Sequence, residues 1–498
     1  MFLAWRLFVI RGSDFVRTIF CPLDTSFSTL ETFSIMPYHN LVVIVLACIV
    51  SLACYKKTHR NRYAGLFSEA MEQVMIRYVD PVEPRTLFEG AMSGMLRRLD
   101  AYSAYVGPAE YREFQESLEL EFGGIGIEVE VNSKTERLTV LSPVFDTPAY
   151  KAGLLAGDTI LNVNGQSTEG FLVQDAVRLL RGAVGSQVTL TIQHPGDEES
   201  TDVTLHRSRI KVPSVLGDVR LPDSRWSFVL REDSRIGYIR LTTFGEHTIE
   251  ELRNSLKTLE DANIQALILD LRNNAGGLLD VAVSTCDMFL QEGVIVTTRG
   301  RGGSVRETRE ATRDNLFVET EIPMAVIVNK YSASASEITA ACLQDHDRAM
   351  VIGERTWGKG TVQNVIELEM GRSILKLTTA TYWRPSGRNI HRSADLSEDD
   401  DWGVIPNEGF LVKLGEKELK QVLKQRRDRD YQVESGNESD PDNPTSTSAP
   451  VSQSSAHSEQ SSIQSGDELP SDQNHEEPVI DRQFQSALNY LQGRLEGN

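Results

Sequence analysis

Chemistry in this chain starts from one serine-rich turn and one lysine. Ser334 lies in Tyr331-Ser-Ala-Ser-Ala-Ser-Glu337, and Lys359 follows in Thr356-Trp-Gly-Lys-Gly-Thr-Val-Gln363. A hydroxyl beside a desolvated amine can act as a nucleophile without histidine, because burial lowers the lysine pKa and leaves a usable base. If the two side chains meet, they make a hydrolase that works through an acyl-enzyme. The run from Val328 to Ile338 reads as a buried strand, a turn of small residues and a helix start. Such a turn presents a serine at a helix N-terminus, where backbone N–H groups favour developing negative charge. Three serines compete for that place, Ser332, Ser334 and Ser336, and the turn's chemistry does not choose among them. Ser334 and Glu337 also have the spacing of a capping box, a purely structural alternative.

Lys359 stands between Gly358 and Gly360 without the rest of a phosphate-loop pattern, so an exposed turn lysine is the competing reading. Gln363, four residues on, is placed to orient the amine. Arg272-Asn-Asn-Ala-Gly-Gly277 follows an apolar strand, and its glycine N–H groups suit an oxyanion; a plain strand-to-helix turn is the alternative. Asp345 and His346 lie about three helical turns beyond Ser334, out of reach for a Ser-His-Asp arrangement.

The 498 residues suffice for two or three domains. The formal charge of -20 argues against a nucleic-acid surface. Residues 434–478 carry ten Asp or Glu and no Lys or Arg, so half the excess lies in one polar, Ser-rich stretch, which reads as a disordered linker. Five cysteines, Cys21, Cys48, Cys54, Cys286 and Cys342, form no disulfide framework, and no Cys/His cluster has metal-ligand spacing. No metal or cofactor is expected, and Cys286 and Cys342 read as buried helix residues.

The apolar run Leu41–Cys54 is short for a membrane-spanning helix and closer to a signal core, though with its flanks it can anchor. Basic residues lie on both sides, with the denser cluster at 56–62, which the positive-inside rule would keep in the cytoplasm. Met36 is a candidate start, which would make 1–35 an over-extended start, and Ser51-Leu-Ala-Cys54 is a poor lipoprotein site. Residues 63–117 show helical spacing. From Phe122 onward, glycine-punctuated strands, the Asn164-Gly165 turn and an amphipathic stretch from Val173 to Leu180 resemble a PDZ domain over 118–210. Residues 211–430 alternate strand and helix, implying an α/β layer architecture. Beyond the linker at 431–478, Phe484, Ala487, Leu488 and Leu491 recur at helical spacing, a helix over 479–498 that docks on the body.

Taken together the motifs resemble the carboxyl-terminal processing (tail-specific) proteases. They are Leu99-Asp-Ala-Tyr-Ser103, Gly123-Gly-Ile-Gly126, Asp270–Gly277, Ser332–Ile338, Leu343-Gln-Asp345, Gly353–Gln363 and Arg384-Pro-Ser-Gly-Arg388. The likeness covers about 64–415 and departs at Ala275, where the family usually has Pro, and at Trp357, where it usually has Phe. It implies an α+β and α/β multidomain fold: a helical N-terminal segment, a PDZ-like β-rich domain and an α/β protease core. It implies Ser334 as nucleophile, Lys359 as base, Gln363 as support, and the N–H groups of Ala335 and Gly277 as oxyanion donors. Gly124, Ile125, Gly126 and Ile127 would receive a substrate's C-terminal tail, and Arg181 would couple that event to the protease. Partners would be proteins with accessible tails, and the membrane through the N-terminal segment. Self-association through the terminal helices and an export-side location are further expectations. Two other readings stay open: an inactive PDZ scaffold, and a Ser/Lys amidase of small or cell-wall substrates.

Overall fold

A computed structural model describes residues 38–58, 62–132, 135–221, 225–393, 395–397, 399–431 and 479–497. The over-extended start at 1–35 and the linker (431–478, of which only Tyr431 is described) lie outside these residues. The chain divides into two compact units, residues 1–88 and 89–498. The first holds helices Tyr38–Thr58 and Arg62–Arg77 and the start of Pro84–Leu96. Among the described residues no helix is long and apolar enough to cross a membrane, so the expected transmembrane helix is not found. The apolar run inside Tyr38–Thr58 falls short of the roughly 20 residues a bilayer core requires.

In the second unit, five antiparallel neighbours form the PDZ sheet: Ile127–Val131, Leu138–Pro143, Thr159–Val163, Gln187–Gln193 and Thr201–His206. Val188, Leu190 and Ile192 alternate inward from one strand and pack with Ile160, Val163, Ala176 and Leu180. Asn164 and Gly165, both at positive φ, turn Thr159–Val163 back into Gln166–Ser167, as the Asn-Gly pair predicts. Strand Ile127–Val131 is the outer strand of this sheet, beside helix Val173–Leu180.

The α/β body is built on parallel strands Ile236–Leu241, Ala266–Asp270, Met324–Val328 and Met350–Gly353, with Val215–Leu216 antiparallel at one edge. Ala266–Asp270 and Met324–Val328 are buried at every position, which explains their unbroken apolar runs. On one face Leu267, Leu269, Val326 and Val328 join helices Thr248–Asp261, Leu279–Asp287 and Ala335–Asp345. On the other, Ile268, Ala325 and Ile327 meet Ala487, Leu488 and Leu491 of helix Arg482–Glu496, so the last helix docks as expected.

Two elements were not foreseen. A second sheet joins Ala104–Val106, Ser373–Trp383, Gly293–Arg299 and Val305–Ala311, with Thr361–Leu368 also paired to Ser373–Trp383. Helix Glu416–Tyr431 escapes a periodicity reading because it is mostly charged and buries little beyond Leu419 and Val422.

Leu491 is fully buried against the sheet. Leu491→Ala is expected to cost about 2–5 kcal/mol, as for other buried leucines. Urea unfolding of the two proteins measures it, and an unchanged midpoint would mean that this helix does not complete the core.

Candidate active site

Three turns leave the C-terminal ends of three adjacent parallel strands, the edge where α/β sheets place their ligands. Arg272–Gly277 follows Ala266–Asp270, Ser332–Ser336 follows Met324–Val328, and Thr356–Gly360 follows Met350–Gly353.

The three serines have different surroundings. Ser332 Oγ donates to Leu271 O at 2.8 Å and accepts the Asn329 N–H at 3.0 Å. Ser336 Oγ donates to Asn274 O at 2.8 Å. Both hydroxyls therefore hold neighbouring backbone together. Ser334 sits at φ 56°, ψ -112°, immediately before helix Ala335–Asp345, and its side chain makes no cap bond. A non-glycine residue there is strained, as on the sharp strand-to-helix elbows that expose nucleophiles. The Ser334 N–H donates to Glu337 Oε2 at 2.8 Å, the glutamate half of a capping box. The Ser334 hydroxyl faces the phenol of buried Tyr382, whose pKa burial pushes up to about 12 while the serine contact pulls it down.

The glycine turn lies against this serine. A Cβ on Gly276 would stand 2.8 Å from Ser334 Cβ and 2.9 Å from Ala335 N. Gly277, at φ 151°, would drive a Cβ to 2.2 Å from the Phe244 carbonyl oxygen. Phe244 N–H donates to Gly276 O, and Leu278 N–H donates to Phe244 O. The Gly277 amide lies between these two bonds and so points away from that pairing. Ala335 opens its helix, where N–H groups have no intrahelical acceptor.

The lysine turn reaches the same place through one carboxylate. Glu337 is wholly buried. Its Oε2 accepts the N–H groups of Ser334 and Lys359, each at 2.8 Å. Its Oε1 accepts the Gly358 N–H and the Thr356 hydroxyl, each at 2.6 Å. The backbones of Ser334 and Lys359 thus approach within two hydrogen-bond lengths. Burial pulls the Lys359 pKa below that of free lysine, Lys376 adds to the fall, and Glu337 opposes it. The amine stands 5.0 Å from the Tyr102 ring centre. Gln363 gives its amide hydrogens to Thr361 Oγ1 at 2.8 Å and Thr378 Oγ1 at 3.3 Å, on the strand pair that carries Tyr382. Asp345 is held by Arg384, and His346 bonds Val294 O, so neither turns toward the serine.

In the PDZ domain, Phe122, Gly124, Ile125, Ile127, Val177 and Leu180 line a groove between the outer strand and helix Val173–Leu180. The carbonyls of Ile125 and Gly126 turn inward, onto the N–H groups of Ala149 and Val144. Arg181 stacks on Phe122, 3.9 Å from the ring centre, and meets Glu116 at 4.0 Å. Its guanidinium is brought to the groove's rim and not to the serine turn.

The Peptidase family S41 model matches residues 235–407, and a PDZ domain model matches residues 139–194. A carboxy-terminal-processing protease of Bartonella bacilliformis is 38% identical over 379 residues, covering 74% of this chain and 83% of that protein. The carboxy-terminal processing protease CtpA of Bacillus subtilis is 35% identical, covering 71% and 75%. The chain belongs to peptidase family S41. Among solved structures, a photosystem II D1 C-terminal processing protease is 29% identical over 70% of this chain and 92% of that one, with a TM-score of 0.39.

This S41 peptidase is a serine-type enzyme with a PDZ domain, a helical N-terminal region and an α/β core. A cavity of about 1080 Å³ opens beside Lys359, between Ala275, Ala333 and Trp357 on the core and Leu419, Val422 and Leu423 on helix Glu416–Tyr431. Sequence reasoning missed the part Glu337 plays across the lysine turn, having read it only as a local cap. It also missed Tyr382, for which no local pattern gives a signal.

Gly277→Ala is expected to displace the turn, because both the positive φ and the Phe244 carbonyl forbid a side chain there. With the Gly277 N–H expected as an oxyanion donor, kcat is expected to fall by about 10²–10³-fold. Tail-peptide binding to the PDZ groove, followed by fluorescence anisotropy, should be unchanged. Near-normal turnover would show that this turn takes no part in the reaction.

Proposed function

We propose that this peptidase receives the C-terminal tail of a protein substrate in its PDZ groove and cuts the chain by a Ser334/Lys359 dyad. The shared anchoring of the Ser334 and Lys359 backbones on one carboxylate oxygen carries the reading. A tail adds as a strand beside Ile127–Val131, whose outer edge has no sheet partner among the described residues. The N–H groups of the Gly124–Ile127 loop receive its terminal carboxylate. The names of the Bartonella and Bacillus relatives support C-terminal processing as the class of reaction.

Neutral Lys359 takes the Ser334 hydroxyl proton as the serine oxygen bonds to the peptide carbonyl carbon. The displaced electron pair rests on the carbonyl oxygen, facing the N–H groups of Gly277 and Ala335. Lys359 then gives its proton to the leaving amine, and the C–N bond breaks. Water, deprotonated by the same amine, hydrolyses the acyl-enzyme and frees Ser334. Gln363 steadies the strand pair behind the lysine through Thr361 and Thr378.

Ser334→Ala and Lys359→Ala are each expected to abolish cleavage of an unfolded protein with an apolar tail, while tail binding persists. Turnover by Lys359→Ala would refute the dyad, and absent turnover in the unaltered protein would favour a scaffold. Because the Lys359 pKa is lowered, the base is free at lower pH than an ordinary lysine, and kcat/KM should rise as pH climbs through that lowered value. Lys376→Met removes a repelling charge, so the lysine pKa rises and the ascending limb moves to higher pH. A limb that stays or falls would exclude Lys359 as the titrating base.

We place the enzyme on the export side of a membrane. The signal-length apolar run at 41–54 supports that side, and the basic residues at 56–62 weigh against it. Protease added to intact cells should degrade it; protection would put the body in the cytoplasm.

A further inference from the structure

Glu337 combines three features that a helix cap does not need. It is wholly buried, both its oxygens only accept hydrogen bonds, and two of its four donors are the backbone N–H groups of the proposed nucleophile and base. The other two, Gly358 N–H and Thr356 Oγ1, belong to the lysine turn. Thr356 Oγ1 in turn accepts the Val404 N–H at 2.8 Å, which extends the link to a third segment. Two oxygens with four donors fill the acceptor capacity of a carboxylate. An amide in its place would aim an NH₂ at N–H groups whichever way it turned.

We propose that Glu337 is a positioning residue of this protease, holding the serine turn and the lysine turn in register and supplying the negative charge beside Lys359. The inference rests on the dyad reading. When Lys359 takes the serine proton an ammonium forms in a half-buried site, and the Glu337 carboxylate is its nearby counter-charge. Other groups face the lysine turn: Lys376 repels the ammonium, the Tyr102 ring lies beside it, Tyr382 donates its backbone N–H to Gly360 O, and His391 packs on Gly360. Lys376 has the sign opposite to Glu337, and Asp270, Arg272, Glu416, Lys420 and Arg426 line the cavity beside Lys359.

The test compares Glu337→Gln and Glu337→Asp with the unaltered full chain, using a denatured protein with an apolar tail as substrate. For Glu337→Gln, kcat is expected to fall by about 100-fold, the scale of a small misplacement of reacting groups. KM and tail-peptide affinity should change little. The ascending limb of the pH profile should also move to lower pH, because the charge that favours protonated Lys359 is gone. A merely structural role would lower the unfolding midpoint without moving that limb. Glu337→Asp keeps the charge and shortens the reach, so kcat should fall with the limb unmoved. A Glu337→Gln protein with normal kcat, or with reduced kcat and an unmoved limb, overturns the inference. If that variant does not fold, Glu337→Asp decides: reduced kcat with an unmoved limb and an unchanged unfolding midpoint supports the inference, and normal kcat, a displaced limb or a lowered midpoint overturns it. Ser334→Ala and Lys359→Ala run alongside. Turnover by either would fail the dyad reading, whereas a fully active Glu337→Gln beside two dead dyad variants would fail only the present inference.

Discussion

A carboxylate with no access to water must find its hydrogen-bond donors inside the protein, and that requirement organises this molecule. Burial pushes the Glu337 pKa upward, and the four donors around it pull the other way. Those donors come from turns that follow different strands, so the charge is satisfied only when both turns have arrived. The Ser334 and Lys359 backbones, 25 positions apart in sequence, are thereby brought together through their N–H groups. The hydroxyl meets the Tyr382 phenol and the amine the Tyr102 ring, so neither takes part in the carboxylate's bonds. Ser332 and Ser336, which flank the reactive position, use their hydroxyls to hold the Leu271 and Asn274 carbonyls.

The parallel sheet supplies the common origin for these turns. Each leaves the same edge of three neighbouring strands, so small adjustments in one are felt by the next. Gly276 and Gly277 show how tight the edge is. One lies against Ser334 and the other against the Phe244 backbone, each too closely for a side chain. The PDZ domain is built on another principle, an antiparallel sheet with one strand edge left open beside a helix. Recognition and reaction are therefore housed in different kinds of sheet.

Local patterns made much of this legible. The Gln187–Gln193 alternation, the Asn164-Gly165 turn and the apolar runs at 266–270 and 324–328 each follow from the period or burial of a single strand. The three competing serines could not be ranked in that way, because what separates them is the identity of distant carbonyls. Glu337 was visible as a capping partner of Ser334, but its bonds to Thr356, Gly358 and Lys359 are tertiary and leave no periodic trace. Helix Glu416–Tyr431 was hidden for another reason: a strongly charged helix that covers a cleft with few apolar residues has no apolar stripe to find. Gln363, read as the amine's neighbour from a four-residue spacing, lies on a strand where its amide meets Thr361 and Thr378.

Arg272 opens the glycine turn and is buried between Asp270 and Asp481, and Asp481 caps the helix that covers the far face of the sheet. Residues 432–478 separate that helix from the rest of the body in the chain. As the polypeptide emerges from a ribosome, every reacting group is therefore made well before the segment that secures the turn beside them. The glycine turn gains its second ionic anchor only when that distant segment folds back onto the sheet.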